Sequence, residues 1–246
     1  MTCKIEAVDL WKQLGAEQVL QGIDLRMDAG EILGVLGPSG SGKTTLIKCL
    51  LGILSLNKGS VKINGTAIPN LKLMDNIGYM AQTDALYEDL TGLQNLVFFA
   101  RLKGMKRKDA YAQACSLMKM VELSRDQEKK VVNYSGGMKR RLSLATALIG
   151  DPGIIVLDEP TVGIDPLLRD LFWQEFHRLK ACGKAIIMTT HVMDEAEKCD
   201  RLILIRNGRI IRDGGPEQLK AETAEGTLEA IFIRSARQGR EGGEAV

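Results

Sequence analysis

Aromatic side chains are scarce in this sequence: Phe, Trp and Tyr together make up 4% of 246 residues. A core must therefore be aliphatic, and a hydrophobic content of 45% is enough to fill one. An excess of charge of one sign is also missing. Thirty-three Lys and Arg face 31 Asp and Glu, for a net charge of +2. That balance argues against a general nucleic-acid-binding surface. The five cysteines, Cys3, Cys49, Cys115, Cys182 and Cys199, are odd in number and scattered. No pair has metal-ligand spacing, so a reducing compartment is the expected setting. The opening residues lack a basic stretch followed by an apolar one, so no signal peptide is expected. No run of about eighteen apolar residues occurs, so no segment is expected to span a bilayer. Work at a membrane would need a partner that carries the spanning helices. There is no internal repeat, which points to one unit rather than a fused pair.

What is present is organised around Gly37-Pro38-Ser39-Gly40-Ser41-Gly42-Lys43-Thr44. It fits G-x-x-x-x-G-K-[ST] at every fixed position. Ile32–Leu36 before it reads as a buried strand, and Thr45–Leu51 after it as a helix. The glycines let the backbone wrap so that amides can meet phosphate oxygens, and the helix N-terminus adds partial positive charge. Lys43 then reaches the terminal phosphates, and the Thr44 hydroxyl holds Mg²⁺. The competing reading is a Gly-rich turn with a solvated Lys, which the flanking strand and helix disfavour.

In chain order, residues 3–10 and 19–28 read as strands, suggesting a small antiparallel sheet. Strands are also expected at 31–36, 61–63 and 77–81, with Gln82 closing the last. From about residue 88 to Ala147 the pattern is helical: Leu93, Leu96, Val97 and Ala100 recur at helical spacing, as do Tyr111, Ala114, Cys115, Leu117 and Met118. The basic cluster 103–108 between the first two helices reads as a solvated turn, ahead of an anionic-lipid or partner contact. Strand–helix alternation returns with strands at 154–157 and 185–189 and helices at 167–181 and 192–198. Strands at 202–206 and 209–213 are joined by Asn207-Gly208, a hairpin signal. Alternating β and α units imply a parallel sheet covered on both faces. Residues 236–246 read as a disordered tail.

Asp158 and Glu159 directly follow a buried apolar strand, where a carboxylate faces the ligand crevice of an α/β sheet. Asp158 suits Mg²⁺, and Glu159 suits a general base acting on water. A pair of surface acids capping a strand is the alternative. Tyr134-Ser135-Gly136-Gly137-Met138 precedes a long helix. Ser135 is either simply its N-cap or part of a second phosphate-binding element with Gly136 and Gly137.

Taken together, these motifs resemble the ATP-binding cassette ATPases, the motor subunits of ABC transporters, over residues 3–233. The resemblance implies an α/β P-loop NTPase core with a small antiparallel β subdomain and an inserted α-helical subdomain. It implies a single nucleotide-binding domain over 1–235, with 88–147 inserted. Residues 37–45, Thr45 included, are similar to the family's Walker A, and Ile154–Asp158 to its Walker B. Glu159 takes the catalytic glutamate position and Gln82 the Q-loop glutamine, which touches Mg²⁺ and water. Tyr134–Met138 resembles the signature Leu-Ser-Gly-Gly-Gln, with Tyr and Met as departures. Gly163-Ile164-Asp165 resembles the D-loop and His191 the switch histidine; His177 reads as an exposed helix residue. Leu14 stands where the family stacks an aromatic on adenine, and Trp11 is the ring that can serve instead.

The resemblance further implies ATP and Mg²⁺ as cofactors and a head-to-tail pair of identical chains. Ser135 and Gly137 of one copy would close over ATP held by Lys43 of the other. A groove of the helical subdomain and the Q-loop would receive a coupling helix from a separate permease, at the cytoplasmic face of the membrane. Asp84–Thr91, Asn95-Leu96 and Thr227–Phe232 resemble the branch that exports drugs, sodium, polysaccharides or lipids. The short stretch after them leaves no room for a regulatory domain of the kind some importer cassettes carry. The alternatives are a soluble ABC ATPase acting on nucleic acid or ribosomes, and a regulator that binds ATP without hydrolysis. Intact Lys43, Asp158 and Glu159 speak against the second. Against the first, Gln82 to Ser135 spans only 53 residues, too few for a long coiled coil, so no nucleic acid is expected as partner.

Overall fold

The computed structural model describes residues 3–231 and residue 233. The expected tail at 236–246 and Phe232 of the near-terminal motif lie outside them. The chain runs through β1 (Cys3–Leu14), β2 (Glu17–Asp28), β3 (Ile32–Leu36), α1 (Lys43–Leu50), β4 (Lys58–Ile63), β5 (Thr66–Ala67), α2 (Leu71–Met74) and β6 (Ile77–Met80). Then come α3 (Gly92–Leu102), α4 (Arg107–Met120) and α5 (Gly136–Ala147), with no named strand between them among the described residues. The rest is β7 (Ile154–Asp158), α6 (Pro166–Ala181), β8 (Ala185–Thr189), α7 (Met193–Ala196), β9 (Arg201–Arg206), β10 (Arg209–Gly214) and α8 (Pro216–Lys220). The fold is mixed α/β, with an antiparallel sheet and parallel strand pairs.

Two compact units divide these elements. One holds residues 5–27, 31–68 and the described residues from 189 on. In it lies a four-stranded sheet of order β2-β1-β4-β5, with β1 antiparallel to β4 from Ile5↔Ile63 onward. The two long strands extend beyond the expected bounds, so that Gly15 and Ala16 alone make the turn. The same unit carries the run β10-β9-β3, with β3 parallel to β9. All five residues of β3 are buried, which is why it reads as a continuous apolar run. The Asn207-Gly208 turn has positive φ at both residues, 45° and 71°. Such angles match the twist of a two-residue hairpin.

The other unit holds residues 3–4, 28–30 and 69–188. It contains the run β8-β7-β6, with β6 parallel to β7 from Ile77↔Ile154 to Met80↔Leu157. The helices α3, α4 and α5 pack on one another in this unit. α3 starts at a capping box of Thr91 and Gln94 and α6 at Asp165, whose side chain accepts the Leu168 amide. The core is aliphatic apart from Tyr134 and a cluster on α6. The largest fully buried side chains include Phe172 and Phe176 of α6, and Trp173 stacks edge-on against Phe176 at 5.7 Å. Composition alone hid this, because three of the few aromatics fall on one face of one helix. The basic cluster is exposed at Lys106, Arg107 and Lys108 as expected. Lys103 departs from that reading: it is half-buried and donates to the carbonyls of Asp75 and Ile77, each at 3.2 Å.

Candidate functional site

The phosphate-loop motif forms the connection from β3 to α1. Gly37 has no room for a side chain: a Cβ there would lie 2.4 Å from the Ile205 carbonyl oxygen. Gly40 and Gly42 adopt φ of 78° and 103°, which only glycine takes without strain. Gly42 is the N-cap of α1, whose first turn carries no acidic residue. The loop is braced from the hairpin turn, where the Gly208 amide donates to the Ser41 carbonyl at 3.3 Å. Lys43 is almost fully buried, and its ammonium donates to the carbonyls of Gly37 (2.7 Å) and Pro38 (3.0 Å). The Ser41 hydroxyl is buried without a hydrogen-bond partner among the described residues. Pro38, Ser39 and Gly40 are exposed, while Thr44 and Thr45 are half-buried in the first turn. An orphaned hydroxyl, a helix N-terminus with no acidic residue in its first turn and a folded-over ammonium together fit an anionic phosphate chain.

Three further candidates, Trp11, Leu14 and His191, lie in the same unit. The Trp11 indole donates to Asp9 at 2.5 Å, and the Lys58 ammonium sits 5.8 Å from its ring centroid. Lys58 also pairs with Asp9 at 2.8 Å, and hydrogen bonds from Lys58 and then Trp11 hold the Asp9 carboxyl below its ordinary range. Leu14 is exposed at the end of β1. His191 is exposed just after β8, between two tethered neighbours. The Thr190 hydroxyl donates to buried Glu195 at 2.6 Å and accepts the Val192 amide at 3.0 Å. The Thr190 amide itself donates to Val35 of β3 at 3.3 Å.

The other unit holds Gln82, Ser135–Gly137, Asp158 and Glu159. Asp158 is 1% exposed at the C-terminal end of the wholly buried β7. Glu159 follows it with φ 53°, a left-handed conformation that costs a non-glycine residue on the order of 1–2 kcal/mol. Gln82 is exposed at the end of β6. Ser135 is the N-cap of α5, its hydroxyl accepting the Met138 amide at 3.2 Å. The capping reading of Ser135 is thus met, and Ser135 and Gly136 are nevertheless exposed. A Cβ on Gly136 would meet nothing within 4 Å, and one on Gly137 only the Gly163 carbonyl at 3.2 Å. Tyr134, which departs from the resembled motif, is buried and donates to the Asp126 carbonyl at 2.8 Å. Burial pushes its phenol up to about 12.

Sequence reasoning missed the residue that ties this unit's candidates together. Arg140, one turn into α5, is 7% exposed. One terminal nitrogen donates to the carbonyls of Ala81 (2.9 Å) and Gln82 (3.1 Å). The other donates to the carbonyls of Asp158 and Glu159, the latter at 2.5 Å. Asp84 lies 3.6 Å from the guanidinium and also accepts the Ser143 hydroxyl at 2.7 Å. Burial lowers the Arg140 pKa, and the charges of Asp84, Asp158 and Glu159 oppose that shift. Its place three residues after Gly136-Gly137, one turn into the same helix, was the available sequence signal.

The ABC transporter family model matches residues 20–162. Nod factor export ATP-binding protein I of Burkholderia lata is 43% identical over 211 residues, covering 85% of this chain and 69% of that protein. Its counterpart in Rhizobium meliloti is 38% identical over 221 residues, covering 89% and 66%. Among solved structures, an ATP-binding subunit of an ABC transporter superposes with TM-score 0.86 at 26% identity, over 94% of this chain and 98% of that one. A dimeric ATP-binding cassette in a post-hydrolysis state with ADP and Pi gives TM-score 0.80 at 27% identity, over 86% and 98%.

Proposed function

The chain belongs to the ABC transporter family and is an ATP hydrolase of it, and from that premise we propose that it is the motor subunit of an exporter whose permease is a separate chain. The observation that carries this reading is the glycine-lined loop from β3 to α1, with Lys43 folded over it and the Ser41 hydroxyl orphaned. We assign residues 1–235 to one nucleotide-binding domain, with 88–147 inserted in it. ATP is bound by Gly37–Thr45, and Trp11 or Leu14 meets the adenine. Thr44, Gln82 and Asp158 offer hard oxygen donors of the kind Mg²⁺ takes. Mg²⁺, when bound, supplies charge neutralisation at the phosphates.

Each protein group then has one task. Lys43 exchanges its carbonyl partners for phosphate oxygens and takes up their charge. Glu159 accepts a proton from the attacking water as general base. His191 and Gln82 orient the water and the γ-phosphate. Ser135, Gly136 and Gly137 close over the nucleotide of a second copy, so neither copy is complete alone. The dimeric state of the solved cassette with ADP and Pi supports this pairing. No helix among the described residues is long and apolar enough to cross a membrane. From the family and the export proteins it resembles, we assign the chain as a peripheral subunit at the cytoplasmic face, engaging its permease through a coupling helix. The export assignment draws on the Nod factor export proteins it resembles.

Glu159→Gln tests the reading. The variant should bind ATP, dimerise and barely turn over; unchanged turnover removes Glu159 from its role. Recovery with a membrane protein from detergent extracts is expected. Recovery with ribosomes or DNA and no membrane protein would favour a soluble ABC ATPase instead.

A further inference from the structure

We propose that Arg140 is a positioning residue for hydrolysis, a single guanidinium that fixes the backbone of Glu159 and of Gln82 in one register. This rests on the catalytic assignment of Glu159 above. Four carbonyl oxygens from two segments converge on two nitrogens of one side chain. Those segments are the turn after β6, which carries Gln82, and the turn after β7, which carries Asp158 and Glu159. The planar fork of arginine can bridge two such pairs at fixed geometry; a lysine ammonium, a point charge with three donors, cannot. An apolar residue would fill the space under α5 without burying a cation, and a buried charge is weak evidence of a stability role. The guanidinium Nε is itself buried without a partner among the described residues, so satisfaction is concentrated on the two terminal nitrogens.

The backbone at Glu159 explains what this grip accomplishes. Its left-handed φ of 53° must be held by its surroundings. Bonds to the carbonyls of the two peptides that flank the Glu159 Cα restrain that turn and with it the direction of the Glu159 side chain. Because the same guanidinium holds residues 81 and 82, movement of the Gln82 segment is transmitted to the Glu159 turn. Arg140 also sits in the helix that begins at Ser135, so that helix cannot shift without loosening both turns.

The test is Arg140→Lys in the full chain, with nucleotide affinity and turnover measured separately. ATP affinity is expected to stay within about twofold, while kcat falls on the order of 100-fold, the scale of a misplaced catalytic group. In a Glu159→Gln background the same change should lower the residual rate by far less than about 100-fold, since only the Gln82 segment is then left for it to position. Should Arg140→Lys not remain folded by circular dichroism, Arg140→Gln is read in the same way. Asp84→Asn, which leaves the four carbonyl bonds in place, should keep most of the turnover. The inference is overturned if Arg140→Lys keeps the parent kcat, if affinity falls in step with kcat, or if its full effect recurs in the Glu159→Gln background. If Glu159→Gln alone leaves turnover unchanged, it is the catalytic assignment that fails.

Discussion

Replacing Asn95 with alanine removes one fully buried amide that holds the segment between Gln82 and α3. Asn95 is 0% exposed on α3. Its oxygen accepts the Tyr87 amide at 2.9 Å, and its nitrogen donates to the carbonyls of Tyr87 and Thr91, both at 3.0 Å. The three bonds are not equal. The Tyr87 carbonyl also accepts from Leu90, and the Thr91 carbonyl from the Asn95 amide, so both keep a partner. The Tyr87 amide loses its acceptor, at about 1–3 kcal/mol, and the two surplus bonds add about 0.5–1 kcal/mol each. The expected loss is roughly 2–5 kcal/mol, or roughly 4–20 °C in Tm for a chain of this size. Asn95→Asp separates hydrogen bonding from volume. It keeps an acceptor for Tyr87 but sets a carboxylate against two carbonyls. Burial and those dipoles raise its pKa in the folded state above the unfolded value. Its stability is therefore fully present below the unfolded pKa and lost as pH rises through the folded one. Nucleotide-free thermal unfolding by circular dichroism, at about pH 5 and about pH 8, reads both effects. The aspartate deficit should grow with pH and the alanine deficit should not. An alanine loss under about 1 kcal/mol, or an aspartate deficit that ignores pH, refutes the reasoning.

Tyr134 predicts an alkaline signature. Its phenol is raised from about 10 to about 12, so the stability it contributes is complete below pH 10 and disappears as pH rises through about 12. Tyr134→Phe should lose about 1 kcal/mol at neutral pH with the Asp126 bond, and should remove one phenolate from the parent's ultraviolet titration in that window. A titration identical to the parent's would count against it. Two glycines in one unit should behave oppositely. A Cβ at Gly78 would lie 1.9 Å from the Ala147 carbonyl oxygen, so Gly78→Ala should cost at least the roughly 1–3 kcal/mol of overpacking. A Cβ at Gly136 meets nothing within 4 Å, so Gly136→Ala should fold normally and yet reduce ATP turnover if this surface closes on a second copy's nucleotide. Parent-level turnover in a normally folded Gly136→Ala would argue against that closure.

Much of this arrangement is legible in the sequence because local rules dictate it. A strand buried on both faces needs an unbroken apolar run, so β3, β7 and β8 stand out. A two-residue hairpin needs positive φ twice, so Asn207-Gly208 marks itself. The phosphate loop needs glycine where a Cβ would strike Ile205 or where φ is 103°, so its spacing is fixed. What escapes is whatever depends on the direction of one side chain. Lys139, Arg140 and Arg141 form a basic run that a sequence reader assigns to solvent. Successive helical positions point about 100° apart, so three neighbours meet three surroundings. Lys139 reaches Glu88 at 2.5 Å, and Arg141 reaches the carbonyls of Val121 and Glu122. Arg140 alone turns inward to the four carbonyls beside Gln82 and Glu159. Its partners are backbone oxygens, which every residue possesses, so no residue type at those positions advertises the contact. The same reason hides the left-handed turn at Glu159: side-chain identity selects a carboxylate there, while the backbone that aims it is held from a helix elsewhere in the chain.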